Sequence, residues 1–89
     1  MPQRTVAIGS PLGLHARPAS LFVQAVNASG LPVTVAREGG DPVDARSVLG
    51  VMALGAKHGE TVTLAAEESE TADKVLDELV EMLATDLDA

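Results

Sequence analysis

Residues 61–84 read Thr61-Val62-Thr63-Leu64-Ala65-Ala66-Glu67-Glu68-Ser69-Glu70-Thr71-Ala72-Asp73-Lys74-Val75-Leu76-Asp77-Glu78-Leu79-Val80-Glu81-Met82-Leu83-Ala84, and they carry both hydrophobic periods in succession. From Thr61 to Ala66, Val62, Leu64 and Ala66 alternate with Thr61, Thr63 and Ala65, the period of a half-buried strand. From about Glu70 to Ala84, the residues Ala72, Val75, Leu76, Leu79, Val80 and Leu83 recur at i, i+3, i+4, i+7, i+8 and i+11. That spacing predicts an amphipathic helix, and Glu70 and Asp73 lie where the positive end of its dipole favours acid. A one-faced strand followed by a one-striped helix asks for two layers, with the helix lying on a sheet.

Moving outward, Ser47 suits an N-cap, Val48 to Leu54 supplies one or two apolar turns, and Gly55 is placed to end them. Pro32 to Arg37 and Val43 to Ala45 flank Glu38-Gly39-Gly40-Asp41, which is hairpin-turn chemistry; Pro42 then assigns the second strand to an edge. Ala16 to about Asn27 places Pro18, Phe22, Ala25 and Val26 at helical spacing, with Ser29-Gly30 as the stop. Gln3 to Ile8 reads as a strand closed by Gly9-Ser10-Pro11-Leu12-Gly13. The order is βαββαβα. Strands with one apolar face predict an α+β fold, a mostly antiparallel sheet covered on one side by helices.

Composition narrows the function. The 89 residues, 46% of them hydrophobic, suit a single folded domain spanning 1–89. There are no cysteines, which excludes a disulfide framework, an iron–sulfur cluster and a cysteine-based zinc site. The net charge of −7 is uneven. Residues 1–46 hold four arginines against three carboxylates, net +1, whereas residues 47–89 hold two lysines against ten carboxylates, net −8. Such an acidic half repels phosphate backbones, and Phe22 is the sole aromatic, so nucleic acid is not an expected partner. The first half retains positive charge for a local anion or an acidic protein. The amino terminus lacks signal-peptide character, and Val48–Ala56, the longest run free of charged and strongly polar side chains, falls far short of the ~20 residues that span a bilayer. A soluble, cytoplasmic protein without membrane insertion is expected. With two histidines, His15 and His58, and His58 in a turn, no metal and no cofactor are called for.

The stretch Gly13-Leu14-His15-Ala16-Arg17-Pro18 concentrates the chemistry. Pro18 belongs in a first helical turn, which fixes the helix start near His15. The amides of Ala16 and Arg17 then lie beside the imidazole at the positive end of the helix, suited to an anion held on His15. Arg17 can add a charge-assisted contact to phosphate oxygens, and Gly13 allows close backbone approach. Surrounding positive charge disfavours the imidazolium and leaves a nucleophilic ring nitrogen. Nucleophile, amides and guanidinium together suit a group that accepts and returns a phosphoryl. Spacing alone favours a helix cap at His15 beside a solvated Arg17, and the residues by themselves leave both readings open.

The segment resembles the active-site motif of the HPr family, the histidine-containing phosphocarriers of the bacterial phosphoenolpyruvate:sugar phosphotransferase system. Arg46-Ser47-Val48-Leu49-Gly50-Val51-Met52-Ala53-Leu54-Gly55 is similar to that family's second signature, and the two stand at the family's separation. The resemblance implies an open-faced β-sandwich, a four-stranded sheet covered by three helices. It also implies phosphorylation of His15, on Nδ1 in the family, by enzyme I, onward donation to IIA domains of sugar permeases, and assistance from Arg17. It makes the chain a carrier, not a turnover enzyme, and a monomer is expected. The hairpin about one residue longer than in many members, and Arg46 where lysine is frequent, depart from the pattern without touching His15.

Ser47 reads first as an N-cap; in some branches of the family the matching serine is phosphorylated by a dedicated kinase, which makes it a candidate regulatory site. Val48, Leu49 and Met52 lie on a helix too short to bury apolar residues all round. They are candidates for partner docking, Leu49 and Met52 foremost. Two other classes are weighed. An acyl carrier would need an Asp-Ser-Leu attachment site on an all-helical fold, but Ser47 follows Arg46. A regulatory relative without phosphotransfer should lack the nucleophile, which is present.

Overall fold

The computed structural model describes residues 2–85; Met1, residues 86–89 and with them Asp86 and Asp88 of the charge count lie outside the described residues. The elements run β1 (Gln3–Ala7), α1 (Ala16–Ser29), β2 (Thr34–Arg37), β3 (Val43–Asp44), α2 (Val48–Ala53), β4 (Thr61–Ala65) and α3 (Ala72–Ala84). The four strands form one sheet in the order β1-β4-β2-β3, every pair antiparallel, with helices on one face. This is the antiparallel α+β sheet covered on one side that the alternating patterns predict, and the open-faced sandwich that the resemblance implies.

Register explains the layering. Val6 pairs with Val62 and Val35 with Leu64, so the buried alternates of three strands align on the helix side. Thr5 and Thr63 pair on the opposite face. Against the apolar side pack Phe22, Val23 and Val26 of α1, Val51 of α2 and Leu76, Leu79 and Leu83 of α3, all buried. Pro42 precedes β3, an edge strand, where a missing N–H breaks no central ladder. Arg4 lies on the same face as Val6 and Ile8 and reaches over β1 to Asp73 and Asp77 of α3, each at 2.9 Å.

Several boundaries differ from the sequence reading. The last helix begins at Ala72, because the first intrahelical bond runs from the Val75 N–H to the Thr71 carbonyl and Glu70 lies outside it. α2 ends at Ala53 with Leu54 as its cap, so Gly55, expected as the cap, lies one residue beyond it; its φ of 65° turns the chain away. α1 stops where expected: Gly30 adopts φ 73° and its N–H bonds the Asn27 carbonyl.

Backbone bonds tie the segment leading into α1 to the rest. The Ile8 N–H donates to Glu60, Gly59 to Ile8, Gly9 to Leu83 near the end of α3, and Leu14 to Ala56, each at 2.9 Å. Gly13 is required here twice over. Its φ is 76°, and a Cβ would sit 2.5 Å from the Ala56 carbonyl oxygen and 2.9 Å from the Lys57 Cα. Gly13→Ala should therefore cost about 1–3 kcal/mol in urea unfolding, by left-handed strain and overlap with backbone that cannot swing aside. Gly30→Ala, with open space around its Cβ, should show the conformational penalty alone and destabilise less.

Candidate functional site

The site begins with a turn. Ser10-Pro11-Leu12-Gly13 closes with a Gly13 N–H bond to the Ser10 carbonyl at 2.9 Å, Pro11 at the position its fixed φ favours. Leu14 then plunges into the core, 5% exposed, and its N–H is taken by Ala56. With residues 13 and 14 held, His15 becomes the N-cap of α1 with extended backbone (φ −82°, ψ −171°). Its carbonyl accepts from Ala19 at 3.0 Å, the first bond of the helix. Pro18, buried, occupies the first turn as the sequence predicts.

Two consequences bear on chemistry. The His15 imidazole is half-buried and makes no side-chain capping hydrogen bond to α1. The amides of Ala16 and Arg17 precede the first intrahelical bond and stand at the positive end of a 14-residue helix, with both residues exposed. Imidazole, amides and guanidinium are thus gathered within three consecutive positions.

The second group lies on α2, which packs against α1. Ser47 is the N-cap, its Oγ accepting the Gly50 N–H at 3.1 Å. Val51 is buried. Leu49 is 80% exposed and Met52 38%, whereas Val48 is half-buried and packs on the core. The structure therefore separates Val48 from the two residues that present apolar surface. Leu12 joins them in kind: it is 76% exposed at the tip of the turn before His15. Sequence reading grouped Leu12 with the strand breakers. The signal was present, since a leucine between Pro11 and Gly13 of a tight turn has no core to enter.

Charge around the site is organised by pairs. Arg37 Nη2 meets Glu60 Oε2 at 2.7 Å, and Arg46 meets Asp44 at 3.1 Å. Glu60 is held below the usual carboxylate range by the Lys57 N–H and then by Arg37; Asp44 is lowered by the guanidinium and the amide of Arg46. Both carboxylates ionise more readily in the folded chain, so what they contribute is present above the ordinary carboxylate range and fades as the pH falls through their lowered values. His58 lies in the turn after Ala56 with Nδ1 3.2 Å from the Ser10 carbonyl oxygen. A groove of about 320 Å³ lies elsewhere, between Ala25, Ala28 and Ser29 of α1 and Val75, Leu79 and Met82 of α3, beside the half of α1 remote from His15.

Comparison with known proteins bears on the family and the fold. The sequence matches the family model described as "PTS HPr component phosphorylation site" over residues 2–85. It is 47% identical over 88 residues to the phosphocarrier protein HPr of Streptomyces coelicolor, covering 99% of this chain and 94% of the relative. The fold is similar to the crystal structure of HPr from Bacillus anthracis, with a TM-score of 0.84, 33% identity and coverage of 92% of this chain and 95% of that one. It is also similar to Crh of Bacillus subtilis, a domain-swapped dimer, with a TM-score of 0.70, 36% identity and 93% of each chain covered. No helix among the described residues is long and apolar enough to cross a membrane. The chain belongs to the HPr family, the phosphocarrier proteins of the phosphoenolpyruvate:sugar phosphotransferase system, which relay a phosphoryl group and are not turnover enzymes.

Proposed function

We propose that this chain accepts a phosphoryl group on His15 from phospho-enzyme I, which takes it from phosphoenolpyruvate, and donates it to IIA domains of sugar permeases in the cytoplasm. The observation that carries the reading is the half-exposed imidazole of the residue that caps α1, beside the first-turn amides of Ala16 and Arg17. In the transfer, the lone pair of Nδ1 forms the N–P bond as the bond to the donor breaks, and three oxygens bearing negative charge come to rest over the helix end. The Ala16 and Arg17 amides and the Arg17 guanidinium meet that charge. Because the acceptor stands on the surface, the docking partner supplies the remaining walls of the reaction space.

Leu49 and Met52, with Leu12, supply apolar area for that docking, while Val48 supports them from beneath. A monomer is consistent with β1, which pairs with β4 and is tied by Arg4 to α3 within one chain. Ser47 is a candidate for a regulatory kinase. A phosphate at this N-cap keeps negative charge where the helix dipole favours it, so any inhibition would arise at the partner surface and not from unfolding.

Incubation with enzyme I and phosphoenolpyruvate should add the mass of one phosphate, labile in acid and stable in base, and His15→Ala should abolish it. An acid-stable adduct that survives His15→Ala would move the modification to Ser47. Arg17→Ala should slow transfer roughly 10- to 100-fold with an unchanged circular dichroism spectrum, as expected when one charge-stabilising donor is lost. Met52→Asp should act differently, raising KM for enzyme I about tenfold at little cost in kcat; equal losses in both would assign Met52 to the chemistry.

A further inference from the structure

We propose that Glu60 and Arg37 are positioning residues for the His15 loop, the Glu60 carboxylate fixing the backbone on which Gly13 and Leu14 rest. The inference deepens the reading of His15 as phosphoryl acceptor and rests on it. Glu60 uses both oxygens. Oε1 accepts the Lys57 N–H at 2.7 Å, and Oε2 accepts Arg37 Nη2 at 2.7 Å. Arg37 in turn donates through Nη1 to the Leu54 carbonyl at 3.3 Å. One carboxylate thereby grips the peptide on either side of Ala56, directly at Lys57 and through the guanidinium at Leu54. Between these grips Gly55 turns with positive φ.

Ala56 is where the load falls. Its carbonyl accepts the Leu14 N–H at 2.9 Å, one residue before His15, and its backbone is the surface against which Gly13 leaves no space for a Cβ. The backbone of Glu60 belongs to the same assembly: its carbonyl accepts from Ile8 and its N–H donates to the Lys57 carbonyl at 3.0 Å. A loosened 54–57 turn has therefore a direct route to the placement of the imidazole and of the amides that follow it. The side chains are 44% and 34% exposed, so the pair contributes little to global stability. Charge-assisted bonds are directional, however, and a displacement of about 1 Å at a reacting group can cost up to ~100-fold in rate. A pair of this kind is expected to reveal itself in transfer rate, not in melting.

The experiment measures phosphoryl transfer from phospho-enzyme I to the full chain, together with amide hydrogen exchange of Leu14 by NMR. Glu60→Ala should lower the maximal rate about tenfold at nearly unchanged KM and speed Leu14 exchange by about the same factor. Glu60→Gln keeps an oxygen for the Lys57 N–H and should recover most of the rate. Asp73→Ala, which breaks the exposed pair with Arg4 far along the sheet, should change neither quantity while lowering the melting temperature at least as much. Wild-type transfer by Glu60→Ala, or Leu14 exchange unaffected by it, overturns the proposal. Should the unaltered chain take no phosphoryl group at all, the reading of His15 fails instead, and the exchange measurement still decides whether Glu60 fixes the loop.

Discussion

The structure depends on a set of backbone hydrogen bonds between two connections, residues 8–14 and residues 56–60. Ile8 and Gly59–Glu60 exchange bonds like a continuation of the β1–β4 ladder, and Leu14 then reaches Ala56. Connections of this length would ordinarily be the mobile parts of a small domain. Here each is the other's scaffold, and Gly13 lets their backbones approach within a distance that any side chain would forbid. The start of α1 inherits its position from that contact.

A helix start held so firmly presents its first-turn amides at low structural cost, which suits the proposed anion site. The orphan amides of the first turn must face solvent or a ligand, and Pro18 removes one of them without loss. His15 is the residue immediately before those amides, and its backbone is extended. In the role proposed for His15, exposure of the ring is the functional requirement, because successive partners would have to reach it. The apolar residues left outside the core, Leu12, Leu49 and Met52, lie on the turn before His15 and on the helix packed against α1.

Electrostatics is local in this acidic chain. Arg4, Arg37 and Arg46 each engage carboxylates, so their charge serves to join elements: β1 to α3, β2 to the turn before β4, and Arg46 to the strand end at Asp44. The positive balance of the first half, read from sequence as charge available to an anion, is in these three cases partly committed to structure. Exposed pairs of this kind add little stability singly.

The sequence by itself determined the two layers and the face of each element. Period-two alternation in residues 61–66 and the helical stripe from Ala72 to Leu83 are local properties of the chain, and the buried residues follow them. It also determined the helix start at His15, through Pro18, and the N-cap at Ser47, because caps are chosen within a few residues. Only the tertiary structure decided the strand order, which of the apolar residues on α2 remain outside, and the exposure of Leu12. It alone brought Glu60 and Arg37 to the turn that holds Leu14, since nothing in either residue's neighbourhood in the sequence points to a partner 23 positions away. Local periodicity encodes which side of an element is buried, but contacts between distant segments are fixed only when the whole core packs, and the support of His15 is built from such contacts.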